Sequence, residues 1–285
     1  MGTQQALIEQ IRQKQLILTV TAGRTGTAYL QQLFGLFPGV DSVHEDEPSY
    51  VHVMRRVQTQ PAEATEFLAR FKFPVIAAGK AGTYAETSHL FCKGFLEPMI
   101  NLGIFPDLVM LRRNPRSIAL SLLQRNTIPG RTSTGTDYLL CPDDPNTLPL
   151  PHWTSLSDYQ LCFWYALEIE CRQQRYAGFM QQLGTQVYDC TAMELHSPDC
   201  FLAMAGTFSL DSGDRDVLLQ RHGELSQTDF NKTPVTQQPD EDLEEAEREV
   251  WGAVACYAPL LQQQLKQRYG CLLYTSDAAD DTSEV

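Results

Sequence analysis

The residues with the most evident chemistry stand in the run Gly23-Arg24-Thr25-Gly26-Thr27. Gly23 and Gly26 lack a Cβ, so an anion can approach the main chain closely there. Arg24 adds a fixed charge and a planar fork of donors suited to phosphate or sulfate oxygens. Where such a run joins a strand to a helix, backbone N–H groups and the positive end of the helix converge on one spot. The run therefore reads as an anion cradle, most plausibly for a nucleotide. The same residues also suit an ordinary strand-to-helix turn. The full phosphate motif G-x-x-x-x-G-K-[ST] is absent, because Thr27 follows Gly26 where that motif has Lys.

Three further groups offer proton transfer or anion contacts. His44-Glu45-Asp46-Glu47-Pro48 places Glu45 and Glu47 just after a short apolar segment, so either carboxylate is a candidate general base, the alternative being a solvated acidic loop. His89, in the polar stretch from Tyr84 to Phe95, is a candidate base or acid, or a structural histidine. Arg113 and Ser121 stand eight residues apart, at a strand end and about two turns into the following helix. Both reach a single phosphate if that helix folds back beside its strand.

The elements needed to position these residues follow from periodicity. Leu16 to Val20 is an apolar, β-branched run, and Leu30, Leu33, Phe34 and Phe37 resume at helical spacing. Gln5 to Lys14 reads as a short polar helix and Val40 to Val43 as a second strand. Tyr50 to Phe71 reads as helix, and Pro74 to Ala78 as another apolar strand. Leu108 to Leu111 is a buried strand; Pro115 suits the first turn of the helix carrying Ile118 and Leu122. Residues 126–153, rich in Pro, Gly, Thr and Asp but holding Leu139, Leu140, Leu148 and Leu150, read as a loop forming an ordered substrate lid. Ser157 to Gln182 is a long helix whose Glu168, Glu170, Arg172 and Arg175 read as a solvated face. Gln186 to Asp189 is a late strand, Ser197 to Leu210 a helix, and Pro239 to Arg268 an amphipathic helix interrupted at Pro259. Alternating strands and helices imply one α/β domain over residues 1–270, with a central parallel sheet covered on both faces in a P-loop-NTPase-like three-layer fold.

The pairing of Arg24-Thr25-Gly26-Thr27 with Arg113-Asn114-Pro115-Arg116 and Ser121 resembles the two cofactor motifs of sulfotransferases that use 3′-phosphoadenosine 5′-phosphosulfate (PAPS). The resemblance spans roughly Leu16 to Tyr269. It implies a 5′-phosphosulfate site at Gly23, Arg24, Thr25, Gly26 and Thr27, and a 3′-phosphate site at Arg113 and Ser121. Glu45 resembles the base that tyrosylprotein and related sulfotransferases place after a second strand. Thr87-Ser88-His89 resembles the Lys-Thr-His stretch of cytosolic members, and Glu86-Thr87-Ser88 a corresponding stretch of carbohydrate-type members, both without the Lys. The resemblance thus implies Glu45 as first base, His89 as second, and Arg24 or Lys93 in the missing lysine's role. It also implies an adenine contact at Tyr188 and a 3′-phosphate contact at Lys232. Expected are sulfuryl transfer from PAPS to a hydroxyl or amine, no metal, and a small-molecule, glycan or peptide acceptor. A nucleotide kinase or NTPase with an aberrant loop, and a non-catalytic nucleotide-binding protein, are the competing readings.

Composition narrows the partners. The 285 residues carry a net charge of −13, which opposes nucleic acid and anionic membrane surfaces and requires any anionic ligand to be met by a local basic site. No apolar run approaches the roughly 18 residues of a membrane span, and the polar start is unlike a signal peptide, so a cytoplasmic location is expected. Eight cysteines without a C-x-x-C pair read as buried free thiols. Residues 271–285 resemble one frame of a sequencing-library adapter and are expected to be a non-native tail.

Overall fold

A computed structural model describes residues 2–228 and 242–269. Five parallel strands form one sheet in the order β2-β3-β1-β4-β5: β1 (Gln15–Val20), β2 (Val40–Val43), β3 (Thr83–Glu86), β4 (Asp107–Arg112) and β5 (Val187–Thr191). Central β1 pairs with β3 on one side and β4 on the other, with Leu18 opposite Glu86 and Leu108. Side chains alternate between two cores. Leu16, Leu18, Val20, Leu108 and Met110 enter one, and Ile17, Val109 and Leu111 the other. A strand buried on both faces has no solvent side, hence the mainly apolar runs of β1, interrupted only at the buried Thr19, and β4.

Helices fill both layers, giving the three-layer α/β architecture with an all-parallel sheet. On one face lie α2 (Thr27–Phe34), α10 (Pro198–Thr207) and α11 (Arg215–Ser226), contributing Leu30, Leu33, Phe34, Phe201, Met204 and Leu218. On the other lie α7 (Pro115–Gln124), the 25-residue α9 (Asp158–Gln182) and α12 (Leu243–Val254). Asn114 caps α7 through bonds from the Arg116 and Ser117 N–H groups, with Pro115 at its first turn. Ser157 and Gln160 form a capping box at the start of α9.

Residues 50–78 differ from the sequence expectation. The single helix is two, α3 (Val51–Val57) and α4 (Ala62–Phe67), separated at Pro61. Pro74 to Ala78 is not a strand. It lies in a helix, α5 (Phe73–Ala78), entered from a π-helical turn at Leu68–Lys72. Five apolar residues do not distinguish helix from strand, but burial does: Phe73 and Ile76 face inward while Val75 is exposed, a three-residue repeat. The third strand is instead the shorter Thr83–Glu86, reached after Gly82.

The wide turn delivers Lys72 to the sheet. Its Nζ is buried, donates to Glu86 Oε1 at 2.7 Å, and donates to the carbonyls of Asp46 and Pro48 at 3.2 and 3.3 Å. The hydroxyls of Tyr50 and Tyr84 donate to Glu86 Oε2. One ammonium thus joins the end of β3 to the loop after β2. Lys72→Met removes the counter-ion and strands a buried carboxyl, so the variant is expected to lose about 3–5 kcal/mol of unfolding free energy in urea. A loss below about 1 kcal/mol would show that the tyrosines alone compensate the carboxyl.

Candidate active site

Parallel strands end together, and the loops leaving β1, β2, β3 and β4 gather at their carboxyl ends beside the point where the chain switches from the β3 side of β1 to the β4 side. Ligands of open α/β sheets bind at such a point. A cleft of about 280 Å³ lies there, lined by Gly23, Arg24 and Thr27 after β1, His44 and Glu45 after β2, His89 after β3, and Leu122, Arg125, Thr127, Thr134 and Tyr138 beyond β4. The region 126–153 is folded: α8 (Ser133–Tyr138) begins at a Thr132 cap, and Leu139, Leu140, Leu148 and Leu150 are buried.

The loop after β1 is held by its conformation. Gly23, Arg24 and Gly26 all have left-handed backbones, with φ of +79°, +58° and +98°. A Cβ on Gly26 would come within 2.6 Å of Ala192 Cβ, and one on Gly23 within 3.1 Å of the His89 ring. Both glycines are therefore required by close approach as well as by φ. Thr25 is buried and shares a 2.6 Å hydrogen bond with Thr21, so it braces the loop instead of facing the cleft.

Residues of the two sequence motifs meet. Arg24 Nε donates to Ser121 Oγ at 3.1 Å, and Arg113 Nη1 donates to the Arg24 carbonyl at 2.6 Å. Arg24 therefore points toward the α7 motif as well as belonging to the β1 loop. Burial, together with the charges of Arg125 and Arg113, lowers the pKa of Arg24, and burial lowers that of Arg113. Arg113 is exposed, and neither it nor Ser121 is among the residues lining the cleft; both adjoin it through Arg24.

Glu45 and His89 line the same cleft from the loops after β2 and β3. Glu45 Oε1 lies 3.4 Å from His89 Nε2 and accepts the His89 backbone N–H at 3.3 Å; the two side chains are 26% and 16% exposed. Glu45 itself has φ +50°, which turns its side chain back over β3. His44 Nδ1 lies 2.7 Å from the Thr87 carbonyl, further tying the β2 loop to the β3 loop. Glu47, the other acidic candidate, is exposed and bound to His52, away from the cleft.

Lys93 stands behind His89. Its Nζ is 2.8 Å from His89 Nδ1, donates to the Tyr138 carbonyl, and lies 5.1 Å from the centre of the Tyr165 ring. Burial lowers its pKa to about 7. Burial also drives His89 well below its ordinary value, aided by the charges of Lys93, His44 and Arg24. The stacked Tyr138 ring covers the imidazole, with centroids 6.2 Å apart. The signal for Lys93 in sequence is its place four residues after His89, the spacing at which side chains on a helical turn share a side.

Other expected contacts are placed elsewhere. Tyr188 on β5 donates its hydroxyl to the Cys200 carbonyl and packs beside Phe208, so it is not among the cleft residues; its strand position turns it toward the α10 layer. Lys232 lies outside the described residues. The expected solvated face of α9 is a correction: Glu168, Glu170 and Arg172 are buried, and only Arg175 is exposed. They escape solvent because α9 is packed against the sheet on one side and the 126–153 segment and α12 on others. A larger cavity of about 530 Å³ beside β5 is lined by Arg112, Glu170, Asp189 and Arg268, but these charges are paired with one another. Cys141, Asp143 and Asp144, within four consecutive residues, also bring possible ligand atoms within 4.8 Å of one another. Arg55 donates to Cys141 Sγ at 3.1 Å and pairs with Asp144, so a guanidinium already balances that cluster.

The seven cysteines among the described residues are unpaired, and no helix among them is long and apolar enough to cross a membrane. No protein-family model matches the chain, and no curated protein matches it.

The low pKa of Lys93 has a stability consequence with a defined sign. Folded, Lys93 loses its proton near pH 7; unfolded, it keeps it up to its ordinary value of 10.5. Between those values the unfolded chain binds one more proton, so this group makes stability rise with pH across the window and fall as pH drops toward 7. In urea denaturation between about pH 7.5 and 10, Lys93→Met should reduce the slope of unfolding free energy against pH by about 1.4 kcal/mol per unit. An unchanged slope would mean that Lys93 titrates like a solvated lysine.

Proposed function

We propose that this protein is a PAPS-dependent sulfotransferase acting on a hydroxyl or amine. The observation that carries this reading is the meeting of Arg24, Arg113 and Ser121, from two separate strand–loop–helix units, beside a paired Glu45 and His89. An anion with two charged ends suits such a site. The 5′-phosphosulfate would lie against the Gly23–Thr27 loop and Arg24, and the 3′-phosphate against Arg113 and Ser121. Arg125, on the cleft wall, adds positive charge where the donor enters.

The transfer follows from these positions. The acceptor oxygen or nitrogen forms a bond to sulfur as the bond from sulfur to the 5′-phosphate oxygen breaks, and that oxygen keeps the electron pair. The acceptor's proton passes to Glu45, whose carboxylate faces the cleft. His89, driven well below its ordinary pKa by burial, stands 3.4 Å from Glu45 and shapes the acceptor side. Arg24 and the loop N–H groups stabilise the charge that develops on the leaving phosphate, so positioning and electrostatics supply most of the effect.

Titration calorimetry of the full chain with 3′-phosphoadenosine 5′-phosphate tests the reading, with AMP and ATP–Mg²⁺ as comparisons. Binding should require the 3′-phosphate and weaken about 10- to 100-fold in Arg113→Ala, as loss of a charge-assisted contact worth about 1.5–3 kcal/mol implies. Glu45→Gln should retain that binding while losing about 10²- to 10⁴-fold in sulfuryl transfer across a panel of phenols, sugars and tyrosine peptides. Equal or tighter binding of ATP–Mg²⁺ would favour a kinase or NTPase instead. Binding with no transfer in the parent chain would favour a non-catalytic nucleotide-binding protein.

A further inference from the structure

Lys93 is fully buried, yet its ammonium is placed against two acceptors from different parts of the fold. One is His89 Nδ1 at 2.8 Å, in the β3 loop; the other is the Tyr138 carbonyl, at the end of α8 in the segment that covers the cleft. Its own carbonyl accepts a 2.7 Å bond from Gln58 Nε2, so the main chain beneath it is also fixed. An ammonium has donors and no lone pair. Below the Lys93 titration near pH 7, a ring nitrogen facing it must therefore be the unprotonated one, leaving the imidazole proton on Nε2, the atom 3.4 Å from Glu45 Oε1.

We propose that Lys93 is a positioning residue that fixes His89 as the Nε2–H tautomer facing Glu45 and ties α8 over the cleft. Its consequence for catalysis rests on the sulfotransferase reading; the tautomer and the tie do not. In that reading the assignment separates the two residues' roles. With its proton on Nε2, 3.4 Å from Glu45 Oε1, His89 cannot present a bare Nε2 to the acceptor, so Glu45 is the base. The groups facing Lys93 are His89 and Glu45 on the cleft side, Cys92 on its own turn, Arg55 from α3, and Tyr165 and Arg172 from α9. Burial brings the Lys93 titration to about 7, so a measurement near pH 6 observes the ammonium, while His89, driven well below its ordinary value, stays neutral.

Long-range ¹H–¹⁵N correlation spectra of the ¹⁵N-histidine-labelled full chain at about pH 6 read the tautomer directly, with His89→Gln identifying the His89 signals among the six histidines. The expected pattern is a protonated Nε2 and an unprotonated Nδ1. Lys93→Met should shift His89 toward a mixture of tautomers and speed amide hydrogen exchange across residues 133–139 about tenfold or more. Lys93→Arg, which keeps the donors, should restore the parent pattern at least in part. A parent protein with its proton on Nδ1, or an imidazolium, overturns the proposal even if Lys93→Met does not fold. An unchanged tautomer and unchanged exchange in Lys93→Met overturn it as well. Calorimetry with 3′-phosphoadenosine 5′-phosphate on the same samples reports separately on the sulfotransferase reading: absent binding with the expected tautomer defeats that reading alone.

Discussion

A stripe of buried polar side chains along α9 holds the carboxyl ends of the strands in place, and the geometry of the cleft depends on it. Where a strand leaves the sheet, its last carbonyls lose their ladder partners, and burial makes an unpaired carbonyl costly. Gln173 donates to the carbonyls of both Val20 and Leu111, ends of β1 and β4. Tyr165 donates to the Ala22 carbonyl in the first loop, and Arg172 to the Cys92 carbonyl in the third. One rigid helix thus fixes three loops without intervening solvent. The same helix reaches the covering segment, since Glu168 accepts the Leu148 N–H and Trp164 donates to the Leu148 carbonyl. A substitution at Gln173 would disturb two strands at once, although it touches no residue of the cleft.

The charges form a second layer of constraint. A chain with a net charge of −13 repels anions at long range, so a binding site for one must concentrate cations locally. Arg24, Arg113 and Arg125 do so, and burial, with the charges of Arg125 and Arg113, lowers the Arg24 pKa. Holding Arg24 and Glu45 in left-handed backbones costs about 1 kcal/mol or more each. That conformational cost is offset elsewhere, by the Lys72–Glu86 pair beneath the β2 loop and the α9 stripe beneath the β1 loop. The cleft is strained in the loops that line it and braced where it meets the core.

How much of this is legible in the sequence depends on whether the signal is local. The β1–loop–α2 and β4–loop–α7 units are readable because each packs its own periodicity change, its glycines or proline, and its arginine into some twenty consecutive residues. Glu45 and His89 are readable as residue types in polar loops after strands. The misreadings at Pro74–Ala78 and along α9 share a cause: both turn on what packs against the segment. A five-residue apolar run fits helix or strand, and a row of Glu and Arg at helical spacing fits a solvated face or a buried brace. Lys72 lies in a π-helical turn, for which the local residues carry no marker, and its partner Glu86 is fourteen residues away. Only the tertiary neighbours decide such cases.

The arrangement also explains why Glu45 and His89 come from a different side of the sheet than Arg113 and Ser121. Loops after β2 and β3 lie to one side of β1, and the loop after β4 to the other, because the strand order places β1 between β3 and β4. Carboxylate and imidazole therefore come from one half of the sheet, and Arg113 and Ser121 from the other. The β1 loop stands between them and contributes Arg24. Parallel topology keeps the two groups on different loops, and in the proposed arrangement Lys93 on Nδ1 leaves the other ring nitrogen of His89 facing Glu45.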